Sequence, residues 1–589
     1  GTASREAHLP SHAQPSMAPA TAPDGAPADL VVSSAPGPAG ATQVLSRYRD
    51  DVWELWPYFE QSNLTPSSKR IDWANVPEQF RAECKAVVYR YWKEGLPGTT
   101  PPIARSIVML TWHMVVVFKY LAQLGVRGLG QVHPIHISGF IHHRRTVDRV
   151  KSGTLVRNLL GIELLYRFRS EGVDSLGFHP WPGSSAGDQA GHTGPARSTG
   201  GTALIPPAVL QQLYVTAEGL LARADIMLND RDLGLRLTGF DPELNLLRDA
   251  CFFLLGVLTG MRCEEIAGIE VGAGRKERKE GLVYNWVQSI EHKTKKGRVE
   301  YLMPAVGHRV LKVMERWSAP LRQELQSCVL QLEANHSPVG LPERMRVLAA
   351  ARADCNRLFL GRAGPTPQIR TVSGLHWAGR MKGFAAYAGV DWRLSPHQLR
   401  RAYAWTFVRH RLGNVLFLKE QFKHSSIEMT QLYAANPMQD DALFEDLFTE
   451  ISARKVELIE GWLHADTPLA GRAGQRIVSM RAHDFPSRET LIEETADWIN
   501  IRSTGHSYCL AQDDGCGGAG LYEPWRCGAC NDSVIDSSQR IAWQAIHAHQ
   551  LELQVEAREL GPAAVQRVQR DLHRVEDVLK QLGPGIEPL

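Results

Sequence analysis

Over most of this chain the apolar residues recur at three- and four-residue spacing, and in one short stretch they alternate instead. That contrast constrains the fold most. The helical spacing covers 77–94, 102–124 and 155–168, then 308–332, 371–390 and 441–462. The last places Leu443, Phe444, Leu447, Phe448, Ile451, Leu458 and Ile459 on one apolar side. The alternating stretch, Leu282–Ile290, carries Val, Tyr, Trp and Ile and is followed by Arg298–Met303. With the Lys-rich run between them it reads as a β-hairpin. The expected class is therefore mainly α with a small β-sheet (α+β). The longest apolar stretch, Ile107–Phe118, already holds Thr111 and His113, short of the roughly 18 residues that span a bilayer. It reads as a buried helix, and no membrane partner is expected.

A length of 589 residues leaves room for several domains. Residues 1–43 contain 11 Ala and 7 Pro and offer no apolar face, so a disordered tail is expected. Residues 44–179 read as an all-helical domain. Gly, Ser, Pro and Thr dominate 180–201, the composition of a flexible linker. A second domain is expected over 202–464, opening at Pro206-Pro207 where a helix start tolerates the missing amide. The remainder, 465–589, holds a cysteine cluster and a long terminal helix.

Lys and Arg total 66 against 63 Asp and Glu, a net charge of +3, which excludes a generally polycationic protein. Charge is clustered locally. Between Arg275 and Arg298 eight basic residues face three Glu, and between Arg393 and Lys423 seven face one. Such patches suit a polyanion. Nine cysteines, four of them inside 509–530, are not the spread of a secreted disulfide framework. With no visible signal peptide, a reducing intracellular compartment is expected.

Three motifs carry chemistry. In Thr259-Gly260-Met261-Arg262, Gly260 can end a helix and Arg262 can open the next, with Glu265 orienting its guanidinium. In Ser395-Pro396-His397-Gln398-Leu399-Arg400-Arg401, Ser395 and Pro396 suit a helix start, and His397 and Arg400 fall one turn apart on one face. In His424-Ser425-Ser426, an imidazole precedes the phenol of Tyr433 by nine residues. Each alone is ordinary: an ion pair, a surface helix, a core tyrosine.

In this order, with a Lys-bearing hairpin between the first two, the motifs resemble the tyrosine recombinase (phage integrase) family. The resemblance covers about 203–450. It implies a helical core-binding domain over 44–179, a catalytic domain over 202–464, and a duplex DNA substrate. The phenolate of Tyr433 would attack a phosphodiester and form a 3′-phosphotyrosine. Arg262 and Arg400 would clamp the non-bridging oxygens, with His424 contributing. His397 would hydrogen-bond the phosphate or help take the tyrosine proton. A hairpin lysine would protonate the leaving 5′-oxygen. Lys293 is the first candidate and Lys296 a competitor. Lys295, Arg298 and Arg401 would contact DNA. No cofactor is implied for catalysis, since the arginines supply the charge that a metal ion supplies elsewhere.

Two features depart from the family pattern. Phe422-Lys423 stands where Leu-Gly is usual, and the gap from Arg262 to His397 is long, as if a helical insertion occupied about 318–354. The implied activity is site-specific integration or excision of a mobile element, by four protomers on two DNA sites, with accessory recombination proteins possible. The implied location is a bacterial cytoplasm, on the nucleoid. A type IB topoisomerase-like relaxing enzyme and a catalytically inactive DNA-binding regulator are the alternatives.

Cys509, Cys516, Cys527 and Cys530 can supply four thiolates to one structural Zn²⁺, and the tight Cys527-Gly528-Ala529-Cys530 turn favours it. His506 or His547 could replace one cysteine. A redox Cys-x-x-Cys is the alternative. Zinc would stabilise a small C-terminal domain with a thin core.

Overall fold

A computed structural model of the chain describes residues 30–37, 40–59, 64–169, 174–192, 202–279, 282–291, 297–363, 368–412, 439–481, 487–511 and 523–584. Helices dominate and the sheets are small, as the apolar spacing requires. The chain divides into two compact units, Gly1–Gly201 with Ser318–Leu375, and Thr202–Trp317 with His376–Leu589.

The first unit is built on helices Glu78–Glu94, Ala104–Gln123, Pro134–Thr146 and Ser152–Arg167. Ala104–Gln123 is long and apolar enough to cross a membrane. Here it buries Ile107, Val108, Met114, Val117 and Phe118 in the core, with Phe118 stacked on Phe80. Lys85 donates to the Asp50 carbonyl and lies 5.6 to 5.7 Å from the ring centres of Tyr48, Trp53 and Trp73. These rings replace the water that its ammonium gives up.

Several expectations fail here. The tail read as disordered to residue 43 gives way sooner, because Val31–Pro36 pairs antiparallel with Thr42–Arg47. Val32 and Ala35 are buried, so this composition does find an apolar face. Val52–Glu54 pairs with Arg70–Asp72, so the unit is not all-helical. The expected linker is ordered up to His192. Trp181, Ala186 and Ala190 are buried, and Glu163 Oε1 accepts from Trp181 Nε1 and the Ala186 amide. The segment read as an insertion over about 318–354 falls within Ser318–Leu375, which groups with the first unit. Ser318–Leu375 adds the Leu341–Asp354 helix and a hairpin, Leu360–Ala363 with Gln368–Thr371. The buried Asp354 carboxylate joins the two by accepting from the Thr371 amide and hydroxyl.

In the second unit, helix Pro242–Thr259 is the central element, buried at every residue from Leu247 to its end. Pro207–Ala222 and Pro396–Leu412 pack against it. The expected hairpin is present as Leu282–Glu291 with Gly297–Met303, in register from Asn285–Met303 to Glu291–Gly297. A third strand, Gly274–Lys279, adds an outer edge. Its Lys and Arg residues hid the strand behind a charge run. Helix Asp441–Leu463 buries Leu443, Phe444, Leu447, Leu458 and Ile459 but leaves Phe448 half exposed. The long terminal helix is two helices, Arg540–Leu560 and Pro562–Gln581. Gly561, at φ 101°, and the proline after it make the break.

Candidate active site

Arg262 is positioned by the end of the central helix. Gly260 takes φ 73° as its left-handed cap and donates to the Gly256 carbonyl. The chain then re-enters a short helix, Cys263–Ala267, whose N-cap is Arg262. Glu265 Oε2 accepts from the Arg262 amide at 2.6 Å, and Oε1 accepts from Arg262 Nη1 at 2.8 Å. The expected Arg–Glu pair is therefore present, and it is a fixed unit rather than a solvated one. Glu265 is 1% exposed. Burial raises its pKa above the usual carboxylate range, and the Arg262 charge opposes that rise.

Arg400 arrives from the second turn of Pro396–Leu412. That helix crosses the central helix at Gly256, where an added Cβ would lie 2.6 Å from Leu399 Cδ1. The close crossing lets Arg400 Nη1 reach the Gly260 carbonyl at 3.1 Å. Arg400 Nε also donates to Asp446 Oδ2 at 2.7 Å. Gln398 reaches back to cap the helix, accepting from the Ser395 amide.

The two arginines, 138 positions apart in the sequence, meet at one atom. Arg262 Nη1 lies 3.1 Å and Arg400 Nη2 3.0 Å from Asp440 Oδ2. The Tyr301 hydroxyl lies 3.1 Å from the same oxygen and 2.7 Å from Glu265 Oε2. Burial works against both guanidinium charges, and the surrounding anions still hold both pKa values above the ordinary arginine value. Burial first, and then the Glu265 and Asp440 charges, push the Tyr301 phenol well above its usual range. The result is a buried cradle in which two guanidinium groups and one phenol surround a single anionic oxygen.

The sequence reading missed Tyr301 and Asp440. Both are common residue types outside any motif. In strand Gly297–Met303, Tyr301 shares the buried face with Val299 and Met303, two residues away on either side.

Other predicted residues are placed less centrally. His397 is exposed in the first turn of its helix, and Arg298 is exposed at its strand start. Arg401 is bound to the Thr202 carbonyl and lies 3.7 Å from Glu450. Arg275 in the basic run is paired to Glu300 and Glu277. Lys293, Lys295, Lys296, His424, Tyr433 and Cys516 lie outside the described residues. The cavity of about 510 Å³ in the first unit is lined by residues such as Trp56, Phe59, Lys69 and Arg346, and by no predicted site residue.

Residues 236–440 match the phage integrase family. The matched segment contains Arg262, Tyr301, Arg400 and Asp440, so the cradle is this domain's own. No curated protein matches the chain. Among solved structures, the chain is similar to the XerH site-specific recombinase bound to palindromic difH substrate in a post-cleavage complex. That match is 12% identical, covers 62% of this chain and 87% of the other, and has a TM-score of 0.31. It is also similar to XerA recombinase, at 12% identity, covering 59% and 91%, with a TM-score of 0.19.

His506 Nε2 lies 3.3 Å from Cys527 Sγ, and both residues are buried. Bonds of about 2.0 and 2.3 Å meeting at a tetrahedral zinc put two such ligand atoms about 3.5 Å apart. The pair therefore suits a shared metal. No group of three or more such side chains gathers for a metal among the described residues. His547 faces Glu576 instead, at 3.6 Å.

Proposed function

We propose that this chain is a site-specific DNA recombinase that cuts and rejoins duplex DNA through a 3′-phosphotyrosine at Tyr433. The convergence of Arg262 and Arg400 on one anionic oxygen, inside the segment that matches the phage integrase family, carries this reading. A phosphodiester in that position develops charge on its non-bridging oxygens as the phenolate attacks. Two guanidinium groups fixed beforehand by Glu265, Gly260 and Asp446 stabilise that charge without reorganising. The phenol of Tyr433, whose free pKa is near 10, ionises more readily beside them. Lys293 or Lys296 protonates the departing 5′-oxygen, while His397 and His424 bind the phosphate or relay the tyrosine proton. The covalent bond conserves the energy of the broken diester, so rejoining needs no nucleotide.

We place this activity in integration or excision of a mobile element, by four protomers on two DNA sites. The exposed cations Lys276, Arg278 and Arg298 supply a surface for the DNA backbone. We further propose a structural zinc in the C-terminal segment, held by Cys527 and Cys530 with partners among Cys509, Cys516 and His506.

The test is covalent trapping on a pool of nicked duplexes, read as a detergent-resistant protein–DNA band. The band is expected from the parent chain and absent in Tyr433→Phe. No band from the parent would leave a DNA-binding regulator. Relaxation of any supercoiled plasmid lacking paired sites would point to a topoisomerase.

A further inference from the structure

Asp440 Oδ2 is held by two guanidinium groups and one phenol, at 3.1, 3.0 and 3.1 Å. This is the coordination that a non-bridging phosphate oxygen receives in a phosphoryl-transfer site. The carboxylate is buried, with its side chain 3% exposed. Its other oxygen, Oδ1, accepts from the Ala442 amide at 3.2 Å and caps helix Asp441–Leu463. One side chain thus begins a 23-residue helix and fills the anion site.

We propose that Asp440 is a resident anion that blocks this site until a phosphate group displaces it, and that Tyr301 is the third donor to that phosphate. Three observations support the exchange. A phosphodiester carries one negative charge, as the carboxylate does, so the swap leaves the charge of the cradle unchanged. With the carboxylate gone, Arg262 and Arg400 repel each other, and an incoming anion relieves that repulsion. The Tyr301 hydroxyl, already between Glu265 and Asp440, has its proton free to follow whichever anion occupies the cradle. The recombinase reading enters only where it identifies the displacing group as the scissile phosphate. In that case the plug lies seven residues beyond the nucleophile Tyr433, a tether of at most about 25 Å. Placing the nucleophile and withdrawing the plug then involve the same short stretch of chain.

Binding of inorganic phosphate to the full chain, measured by calorimetry, tests the proposal without needing a DNA site. Asp440→Asn removes the charge and keeps a cap acceptor. Asp440→Ser keeps a capping hydroxyl with a smaller side chain, and guards against misfolding of the first variant. Either should bind phosphate at least tenfold more tightly than the parent. Adding Arg400→Ala to Asp440→Asn should abolish the gain, and adding Tyr301→Phe should remove at least threefold of it. Equal phosphate affinity in the parent and both Asp440 variants would overturn the proposal. So would a gain that survives Arg400→Ala. A phosphate gain from a chain that never traps DNA would uphold the resident anion and sink the recombinase reading.

Discussion

Arg400 Nη1 donates to the carbonyl of Gly260 across 3.1 Å, and so ties helix Pro396–Leu412 to the cap of helix Pro242–Thr259. The contact depends on Gly260 at φ 73°. A Cβ there would lie 2.5 Å from Tyr403 Cδ1 and 2.9 Å from Leu443 Cδ1. Gly260→Ala is expected to lose about 1–2 kcal/mol to backbone strain, and more to the clash. Because the shift moves the Arg400 anchor, DNA trapping should fall more than stability does. Urea unfolding of the variant beside the parent checks the first part, and an unchanged midpoint would refute it.

Glu265 and Tyr301 form the buried floor of the cradle. Glu265→Ala leaves the mostly buried Arg262 with Asp440 as its remaining carboxylate, and should cost about 2–4 kcal/mol, toward the lower end of the range for breaking a buried pair. Tyr301→Phe removes one hydroxyl from two acceptors and should cost about 1–2 kcal/mol. The order of the two denaturation midpoints is the measurement. A Tyr301→Phe variant less stable than Glu265→Ala would show that the phenol, not the carboxylate, organises the site.

His113 gives the first unit a pH dependence. Asn158 Nδ2 lies 3.1 Å from His113 Nδ1, so the amide donates and that ring nitrogen stays unprotonated. Burial first, and then the Arg157 and Arg144 charges, hold the imidazole below its usual 6.5. The unfolded chain therefore takes up a proton before the folded one as pH falls below about 6.5. The stability that His113 contributes is present above that pH and is lost through the interval down to its lowered folded value. Unfolding of the parent and His113→Gln across pH 7.5 to 5 should show a shallower slope in the variant. Identical slopes would remove His113 as the source.

Helix positions were legible from apolar spacing because burial on one face decides them, as at Met114 and Phe118. Arg262, Glu265 and Arg400 were legible because a glycine cap and a proline helix start mark where the chain turns. Tyr301 and Asp440 were not, since only tertiary packing brings a strand and a distant helix cap to the same oxygen. The strand Gly274–Lys279 was hidden because an outer edge has no need of alternating apolar residues. The order in 180–192 rests on a single buried tryptophan and the distant Glu163, which local composition cannot reveal.

The C-terminal segment has a small core, centred on Cys527, Ile535, Trp543, Val575 and Val578. A core of that size gains much from a metal staple. His506 is oriented for one, since its carbonyl accepts from Trp543 Nε1 at 2.6 Å and its ring faces Cys527. Cys530 follows through a turn in which its amide donates to the Cys527 carbonyl. Metal analysis of the full chain, purified without chelator, should find about one zinc per chain. Cys527→Ser and Cys530→Ser should lose it, and a strong chelator should lower the melting temperature of the parent but not of these variants. Cys509→Ser, Cys516→Ser and His506→Ala then identify the remaining two ligands among the three candidate partners, because only loss of a ligand reduces zinc content. A metal-free chain whose melting ignores the chelator would leave the 3.3 Å contact as a buried imidazole–thiol hydrogen bond and nothing more.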